Sequence, residues 1–385
     1  MAPLKALSTL VSLIALGTQA VQAGLAQREA NTVLHGKCIE SVIPVSITAN
    51  NSILKIDPPA NQQVLTDFVV RWTSETSNVT QEVVQGTFVN KATYNIYTLL
   101  CIPTKQDAQK TVELAIHGIG FDHTYWNLGG SGSKYNYVEA ALKAGHAILI
   151  YDRLGIGKSQ KPNGIKEVQL PTEVEIAAQL VKHLKAGPQG QSWKRFVGVG
   201  HSFGSATLVN VARVYGNILD ATVLTGFTSH DSALKAISTF TWTIASQDDP
   251  KRLGSLPPEY LVWNSIINNQ QNFFTFPNYD PAVLQASEDN KWSATLGELL
   301  TQGTPPAPQY TNPVFVVTGD KDYIFCGGNC FQKVNGTDLL VGTKELFPSV
   351  KKFSTYSPAK TGHGVNAHLS APQTYVQIQN WIADI

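Results

Sequence analysis

Gly200-His201-Ser202-Phe203-Gly204 is the stretch whose residue types and spacing are best suited to chemistry. It fits the pattern G-x-S-x-G, follows the apolar run Phe196–Val199 and leads into the helix-like stretch Ala206–Tyr215. A serine on a sharp turn between a strand and a helix is held at a strained backbone angle that exposes its hydroxyl. The flanking glycines let the strand and the helix approach each other. The pattern predicts that Ser202 is a nucleophile.

A serine hydroxyl is a poor nucleophile at neutral pH and needs a base, together with a group that orients the base. We predict that His363 is the base, because it lies on a glycine-flanked loop after the last predicted strand, and His368 is the alternative. The acid is Asp322 or Asp320, since both follow the strand that ends at Val317. Whichever aspartate is not the acid is expected to be a turn residue.

Acyl transfer also needs hydrogen-bond donors for the oxyanion that develops during the reaction. The backbone N–H of Phe203, directly after the serine, is one predicted donor. The second is expected from Ile119, which lies in the loop His117-Gly118-Ile119-Gly120 after an earlier strand.

Short apolar runs predict the buried strands that position these residues. They are Thr111–Ile116, Ala147–Tyr151, Phe196–Val199, Ala221–Thr225, Pro313–Val317 and Lys352–Tyr356. Helical patterns alternate with them at Ser133–Ala144, Thr172–Lys185, Ala206–Tyr215 and Ala371–Ile385. This alternation predicts an α/β fold with a mostly parallel central sheet and helices on both faces.

The N-terminal region of the mature chain, residues 24–110, is predicted to be a β-rich extension of this sheet. Ser41–Ile47, Val64–Trp72 and Gln85–Cys101 are rich in β-branched and aromatic residues and are read as strands.

The alternation of strands and helices is also interrupted between the two predicted core segments, residues 111–227 and residues 313–385. The intervening residues 228–312 are rich in large aromatic side chains and mostly helical in pattern, which predicts an inserted helical cap. The alternative is a set of extra core helices with no role as a lid. Four aromatic residues of the cap are predicted to contact a hydrophobic substrate: Trp263, Phe273, Phe274 and Phe276.

The composition and the net charge of the chain disfavour some classes of function. The 385 residues are 43% hydrophobic and 15% charged, which is typical of a globular protein with a sizeable core. The formal net charge is +1 and no strongly basic or acidic run occurs, so nucleic-acid binding is disfavoured.

The first residues, Met1–Ala23, predict a secretory signal peptide. Lys5 is the positive region, Leu7–Leu16 is mostly apolar, and small residues follow. The apolar stretch is too short to span a bilayer, and no later segment is long and apolar enough to do so. An uncleaved anchor is the alternative. Secretion predicts an extracellular protein.

Four cysteines in a secreted chain suggest two disulfides, and three pairings are possible. We favour Cys326–Cys330, whose short loop contains glycines, together with Cys38–Cys101, which ties the N-terminal strands. The cysteine spacing does not resemble a zinc site.

Three N-x-S/T sequences are acceptor sites for N-glycans. They predict surface loops at Asn50, Asn78 and Asn335.

Taken together, these motifs resemble those of the α/β-hydrolase superfamily. The chain looks like a secreted, fungal, esterase-like serine hydrolase of that group. The oxyanion loop at His117-Gly118, the turn Asp152-Arg153-Leu-Gly-Ile-Gly-Lys-Ser159, the serine motif, Gly319-x-x-Asp322 and Gly362-His363 occur in the order typical of the superfamily. The resemblance covers about residues 111–385. It implies that Asp322, three residues after the glycine, is the acid rather than Asp320.

The resemblance also excludes some members. Haloalkane dehalogenases and soluble epoxide hydrolases of the superfamily have an aspartate where this chain has Ser202. The leading hypothesis is therefore a serine hydrolase that acts on a carboxylic ester, lactone or thioester of a hydrophobic small molecule. It implies no metal and no organic cofactor. The alternatives are lyase or acyltransferase chemistry with the same triad, or a non-catalytic secreted binding protein with this fold.

Overall fold

The computed structural model describes residues 33–230 and 238–385. Its strands are β1 (Gly36–Leu54), β2 (Val84–Pro103), β3 (Thr111–Ile116), β4 (Ala147–Tyr151), β5 (Arg195–His201), β6 (Ala221–Thr225), β7 (Trp242–Ile244), β8 (Tyr260–Trp263), β9 (Ala294–Thr295), β10 (Val314–Val317), β11 (Lys333–Val334), β12 (Thr337–Asp338) and β13 (Phe353–Tyr356). Its helices are α1 (Gln62–Thr73), α2 (Val79–Val83), α3 (Tyr137–Lys143), α4 (Leu170–Lys185), α5 (Phe203–Tyr215), α6 (Ala245–Asp248), α7 (Pro250–Leu253), α8 (Ile266–Phe273), α9 (Pro281–Asp289), α10 (Leu296–Leu300), α11 (Tyr323–Cys326), α12 (Leu339–Gly342) and α13 (Ala371–Ala383).

Within the described residues, the central sheet has eight strands in the order β1-β2-β4-β3-β5-β6-β10-β13. Six strands of this sheet, β4, β3, β5, β6, β10 and β13, pair in parallel with one another, and the two N-terminal strands β1 and β2 add to one edge in antiparallel fashion. The predicted mostly parallel sheet is therefore confirmed.

Helices cover both faces of the sheet, as predicted. Side chains of β4 alternate between two buried clusters: Ile148 and Ile150 pack with residues of α3 and α13, whereas Leu149 and Tyr151 pack with residues of α4 and α5. All five residues of β4 are buried, which is typical of a parallel strand enclosed on both sides.

Several predicted bounds agree with the structure residue by residue. Strands β3, β4 and β6 begin and end where the apolar runs do. Helix α3 begins at Tyr137 rather than at Ser133, because the side chain of Asn136 accepts a hydrogen bond from the backbone N–H of Glu139 and caps the helix there.

One N-terminal prediction is wrong. Val64–Trp72 was expected as a strand and lies in helix α1 instead. Its β-branched and aromatic content is typical of strands. However, its buried residues Leu65 and Trp72 lie two helical turns apart on one face, and Asn61 caps the helix start. The other two N-terminal strands form β1 and β2, an antiparallel pair of 19 and 20 residues whose connection contains α1 and α2.

The inserted segment, residues 228–312, is less helical than predicted. Strands β7, β8 and β9 form a small antiparallel sheet between its short helices. Tyr260–Trp263 is fully buried and rich in aromatic and branched side chains, which favour a strand in this setting. The segment packs over the carboxyl ends of the core strands: the backbone N–H of Trp292 donates to the carbonyl of Gly120, and that of Gly364 donates to the carbonyl of Phe273.

Both favoured disulfides are present, Cys38–Cys101 and Cys326–Cys330. The three sequon asparagines are exposed, with Asn78 before α2 and Asn335 in the turn between β11 and β12. Asn50 lies within β1 and not in the expected loop, because the pairing of β1 with β2 continues past it. The predicted signal peptide, residues 1–23, lies outside the described residues.

Among residues 33–230 and 238–385, no helix has the length and apolar character needed to cross a membrane.

Candidate active site

Ser202 occupies the sharp turn between β5 and α5. Its backbone angles are φ 55° and ψ −118°, a conformation that is strained for a residue with a side chain. The flanking glycines are required by close packing: a Cβ atom at Gly200 would lie 2.6 Å from the backbone of Ser205, and one at Gly204 would collide with the carbonyl oxygen of Ile116. The backbone N–H of Ser202 donates to the carbonyl of Thr225 on the neighbouring strand at 2.9 Å.

His363 and Asp322 meet at the carboxyl end of the sheet. His363 follows β13 and Asp322 follows β10, and the Nδ1 atom of the imidazole lies 2.8 Å from Oδ2 of the carboxylate. Both side chains are fully buried. The carboxylate requires the imidazole to carry a proton on Nδ1, which leaves the Nε2 lone pair free. Nε2 is buried and has no hydrogen-bond partner among the described residues.

Asp320 has a different position from Asp322. Its Oδ1 atom accepts a hydrogen bond of 3.0 Å from the backbone N–H of Thr361, two residues before His363. It therefore holds the loop that carries the histidine and does not contact the imidazole by a hydrogen bond. The geometry favours Asp322 as the partner of His363. His368, the alternative base, is occupied by the backbone, because Nε2 accepts from the N–H groups of Thr275 and Gly362.

Aromatic rings enclose the imidazole of His363. The ring centroids of Phe273 and Phe325 lie 5.6 and 5.7 Å from it, and that of His201 lies 4.9 Å away. Burial, together with the neighbouring His363, lowers the pKa of His201 well below its usual value, so its ring is neutral. His201 stacks on Tyr125 at 4.3 Å, behind the serine.

The loop after β3 touches the serine. A Cβ atom at Gly118 would lie 2.9 Å from Cβ of Ser202, so the backbone of the loop passes directly over it. His117 holds the loop: Nδ1 lies 2.8 Å from the carbonyl of Gly118, and Nε2 accepts the backbone N–H of Arg153 at 3.1 Å. Burial lowers the pKa of His117 to about 3, which keeps the neutral form that these two bonds require.

Arg153 is a residue that sequence reasoning did not assign to the site. Its side chain is fully buried, pairs with Glu298 of α10, lies 3.8 Å from Glu173 of α4, and stacks over the ring of Phe203 at 4.6 Å. Burial raises the pKa of the Glu173 carboxyl to about 8. A cation inside the glycine-rich turn after a buried strand is the sequence signal that indicates such a site.

A cavity of about 410 Å³ opens beside Ser202, and we call it the serine cavity. Ile119 and Phe203, the predicted oxyanion donors, both line it. Besides Phe203 and Phe227 of the first core segment, its aromatic walls come from the inserted segment, the second core segment and helix α1. These residues are Phe240, Trp242, Phe273, Phe325 and Trp72. The contribution of Trp72 was not predicted, because it depends on the folding of α1 as a helix.

The structure separates the four aromatic residues predicted to bind substrate. Phe273 lines the serine cavity and Phe274 lines a second cavity. Trp263 is fully buried behind them, packs on Gly120 and donates a hydrogen bond from Nε1 to Glu288. Phe276 lies at the surface with 77% of its area exposed, so it does not join the site.

Asp122, His123 and Asp152 form a group within the described residues whose side chains lie close enough to hold a metal ion. The Asp152 carboxylate already accepts from Nδ1 of His123 at 2.6 Å and from the backbone N–H of Lys158 at 2.7 Å. Asp122 accepts from Thr124 and Trp292. These bonds fix the turn after β4 and leave few oxygen lone pairs for an ion.

Comparisons with known proteins agree with this architecture. A family profile described as "Alpha/beta hydrolase family" matches residues 114–378. No curated protein shows significant sequence similarity to the chain.

Solved structures with similar folds include three at TM-scores of 0.50 to 0.51. A thermophilic esterase from Thermogutta terrifontis is 15% identical, at a TM-score of 0.50 over 76% of this chain and 94% of that chain. Bromoperoxidase from Bacillus anthracis is 16% identical, at 0.51 over 76% and 97%. Rv0554 from Mycobacterium tuberculosis is 17% identical, at 0.50 over 76% and 95%. At these identities the likeness shows a shared fold.

Proposed function

Because the chain belongs to the alpha/beta hydrolase family, we propose that it is a serine hydrolase that cleaves a carboxylic ester, lactone or thioester of a hydrophobic small molecule. The observation that carries the proposal is the 2.8 Å contact between Asp322 and His363, with a free Nε2 atom on the same imidazole, together with a serine at strained backbone angles on the turn between β5 and α5. This arrangement supplies a nucleophile, a base and a group that orients the base.

In the proposed reaction, Ser202 Oγ attacks the carbonyl carbon while Nε2 of His363 takes the hydroxyl proton. The Asp322 carboxylate stabilises the imidazolium that forms. Collapse of the tetrahedral intermediate expels the alcohol, which receives the proton from His363, and leaves an acyl group on Ser202. Water then attacks the acyl-enzyme with His363 again as base, and releases the acid and the free serine.

The backbone N–H groups of Phe203 and Ile119 are the proposed donors to the oxyanion. Phe203 begins α5, so its N–H is one of those that an α-helix leaves without an internal partner. The close approach of Gly118 to Ser202 supports a role for the next residue, Ile119. Such donors act strongly in a buried, water-poor site. None of these steps requires a metal or an organic cofactor.

The walls of the serine cavity support a hydrophobic substrate. Phe240, Trp242 and Phe273 present aromatic carbon beside Ser202, and a cavity of about 410 Å³ lies in the range of small-molecule sites.

The decisive experiment is labelling with a fluorophosphonate probe, combined with hydrolysis of p-nitrophenyl esters of increasing chain length. We expect the wild type to be labelled and active, and Ser202→Ala to lose both properties while remaining folded. Ser205→Ala is the matched control, because Ser205 Oγ donates to the carbonyl of Thr225 and is not placed to react. Labelling that persists in Ser202→Ala would remove the serine from the proposal.

Product analysis in the presence of an added acceptor alcohol separates hydrolysis from acyl transfer and lyase chemistry. Free acid as the main product supports the hydrolase. A non-catalytic binding protein would give no labelling and no product in either condition.

We also propose that the protein is a secreted glycoprotein. The predicted signal peptide, the two disulfides and the exposure of Asn50, Asn78 and Asn335 support this. Expression in a eukaryotic secretory host should give a protein in the medium whose mass falls on treatment with an endoglycosidase. The fungal origin remains a prediction.

A further inference from the structure

A second cavity of about 500 Å³ lies next to the serine cavity. Helix α9, the glycine-rich stretch 129–133 and the loop after β3 form its walls. The larger apolar and aromatic side chains among its lining residues include Phe121, Tyr125, Leu128, Phe273, Phe274 and Val283. Its volume is within the range of small-molecule sites, and the proposed reaction as described above does not use it.

Phe273 is the wall between the two cavities, since it lines both. Its ring contacts Phe121, a residue of the second cavity, with centroids 5.0 Å apart, and Phe240, a residue of the serine cavity, at 5.7 Å. The loop after β3 divides in the same way: Ile119 lines the serine cavity and Phe121 lines the second one. The two cavities therefore adjoin at Phe273, whose ring centroid lies 5.6 Å from that of the His363 imidazole.

The polar side chains of the second cavity are largely engaged within the protein. Asp122 accepts hydrogen bonds from Thr124 and from the indole of Trp292. Ser287 donates to the side chain of Asn269, and Asn290 donates to the carbonyl of Ala286. An apolar occupant leaves these hydrogen bonds intact, so the cavity suits an apolar ligand.

The position of His363, the proposed base, indicates which side of an ester the second cavity binds. In the proposed reaction the leaving oxygen must reach His363 to be protonated, whereas the acyl carbon is bound to Ser202. Gly364, the residue after His363, lines the second cavity, and Ser202 lines the serine cavity.

We propose that the second cavity binds the alcohol-side group of the substrate and that the serine cavity binds the acyl group. This inference rests on the proposed hydrolase function and specifies its substrate class: an ester with a sizeable apolar group on each side of the carbonyl-oxygen bond. Phe273 then lies between the two groups and selects for their relative orientation.

The test compares two isomeric esters, octyl acetate and ethyl octanoate, which have the same formula and differ in the side that carries the long chain. Ala286→Trp fills the second cavity, because Ala286 lines it from α9. Gln285→Trp is the matched control: it places the same side chain on the exposed face of the same helix, outside the lining. Gly303→Trp is the converse variant, because Gly303 lines the serine cavity and an added Cβ there meets no atom within 4 Å.

We expect Ala286→Trp to lower kcat/KM for octyl acetate by about tenfold relative to ethyl octanoate, as is typical when apolar groups lose their pocket. Gln285→Trp should leave the ratio of the two values at that of the wild type, and Gly303→Trp should shift the ratio in the opposite direction. An equal loss for both esters in Ala286→Trp, or a greater loss for ethyl octanoate, would overturn the assignment.

A binding measurement separates this inference from the hydrolase proposal. 1-Octanol should raise the Tm of the wild type and of Gly303→Trp, but not that of Ala286→Trp. If Ser202 is not labelled and neither ester is cleaved, the hydrolase proposal fails, and the octanol result still decides whether the second cavity accepts an apolar alcohol. Val283→Phe is a second variant that fills the cavity. If octanol raises the Tm of Ala286→Trp and of Val283→Phe as much as that of the wild type, the inference is refuted.

Discussion

Arg153 and Glu298 form a fully buried ion pair that joins the turn after β4 to helix α10 of the inserted segment. The guanidinium also lies over the ring of Phe203, whose N–H is a proposed oxyanion donor. A single cation therefore connects the inserted segment, the core and the proposed site.

Arg153→Met should destabilise the protein by about 3–5 kcal/mol, because it leaves the buried Glu298 carboxylate without its cation. It should also slow fluorophosphonate labelling, since Phe203 loses its support. Urea unfolding and labelling rates measure the two effects. Arg71→Met is the matched control: Arg71 pairs with Glu82 at the surface, and its loss should cost about 1 kcal/mol or less. Equal costs for the two variants would contradict this role.

Stability should fall as the pH rises through the range in which the buried Glu173 ionises. The unfolded chain loses this proton near pH 4.5, whereas burial raises the pKa in the folded protein to about 8. Between these values the folded state binds more protons than the unfolded state, so the free energy of unfolding decreases with increasing pH.

The measurement is the difference in Tm between pH 5.5 and pH 8.5. Glu173→Gln mimics the protonated carboxyl and should reduce this difference, whereas Glu75→Gln, at an exposed position, should retain it. A pH dependence unchanged by Glu173→Gln would exclude this residue as its source.

Asp322→Asn should lower kcat far more than Asp320→Asn. An asparagine at 322 favours the wrong tautomer of His363, and the corresponding change in a serine protease costs about 10⁴-fold in kcat. An asparagine at 320 can still accept the N–H of Thr361. Rates normalised to the concentration of folded protein for each variant test the comparison, and a larger loss at position 320 would reverse the assignment.

The disulfide Cys38–Cys101 should contribute more to stability, and the disulfide Cys326–Cys330 should contribute more to activity. Their loops differ in length, with separations of 63 residues for Cys38–Cys101 and 4 for Cys326–Cys330, so the entropic contributions are about 4 and about 2 kcal/mol. Cys326 ends the helix that follows Asp322, and its neighbour Phe325 stacks on His363.

Replacing both cysteines of each pair by serine should therefore reduce Tm more for the N-terminal pair and reduce kcat more for the pair near the site. Tm and ester hydrolysis measured on both double variants provide the comparison. The opposite ranking in either property would be inconsistent with these roles.

Phe273→Ala should change substrate preference, because it removes the wall between the two cavities. The backbone of Phe273 remains fixed by the bond between its carbonyl and Gly364. Phe276→Ala is the matched control, since Phe276 is exposed at the surface. Profiles over esters of increasing chain length should differ from the wild type for the first variant alone, and a similar shift for both would show that the wall has no selective role.

Contiguous sequence was enough to predict the strand–turn–helix around Ser202. The apolar run, the serine and the two glycines lie within a few residues, so their local packing requires the turn. Strands β3, β4 and β6 were likewise predictable, because a strand buried on both faces is a mostly apolar run, interrupted here only by Glu113 in β3 and by the threonines of β3 and β6. The order of the sequence motifs along the chain indicated the superfamily. That order also indicated His363, which follows the last strand, as the predicted base.

Tertiary structure decided the features that depend on residues far apart in the chain. Asp320 and Asp322 both follow the strand that ends at Val317, and their contacts across 41 residues distinguish them. Helix α1 has the composition of a strand, and the burial of one of its faces favours the helix.

The aromatic residues of the insertion show the same limit. Residue type predicted that they pack together, but only the path of the backbone placed Phe273 between two cavities and left Phe276 at the surface. The pairing of Arg153 with Glu298, 145 residues away, likewise depends on where the insertion folds back onto the core. The hydrophobic pattern of a sequence predicts that a side chain is buried, whereas packing in three dimensions decides which residues that side chain contacts.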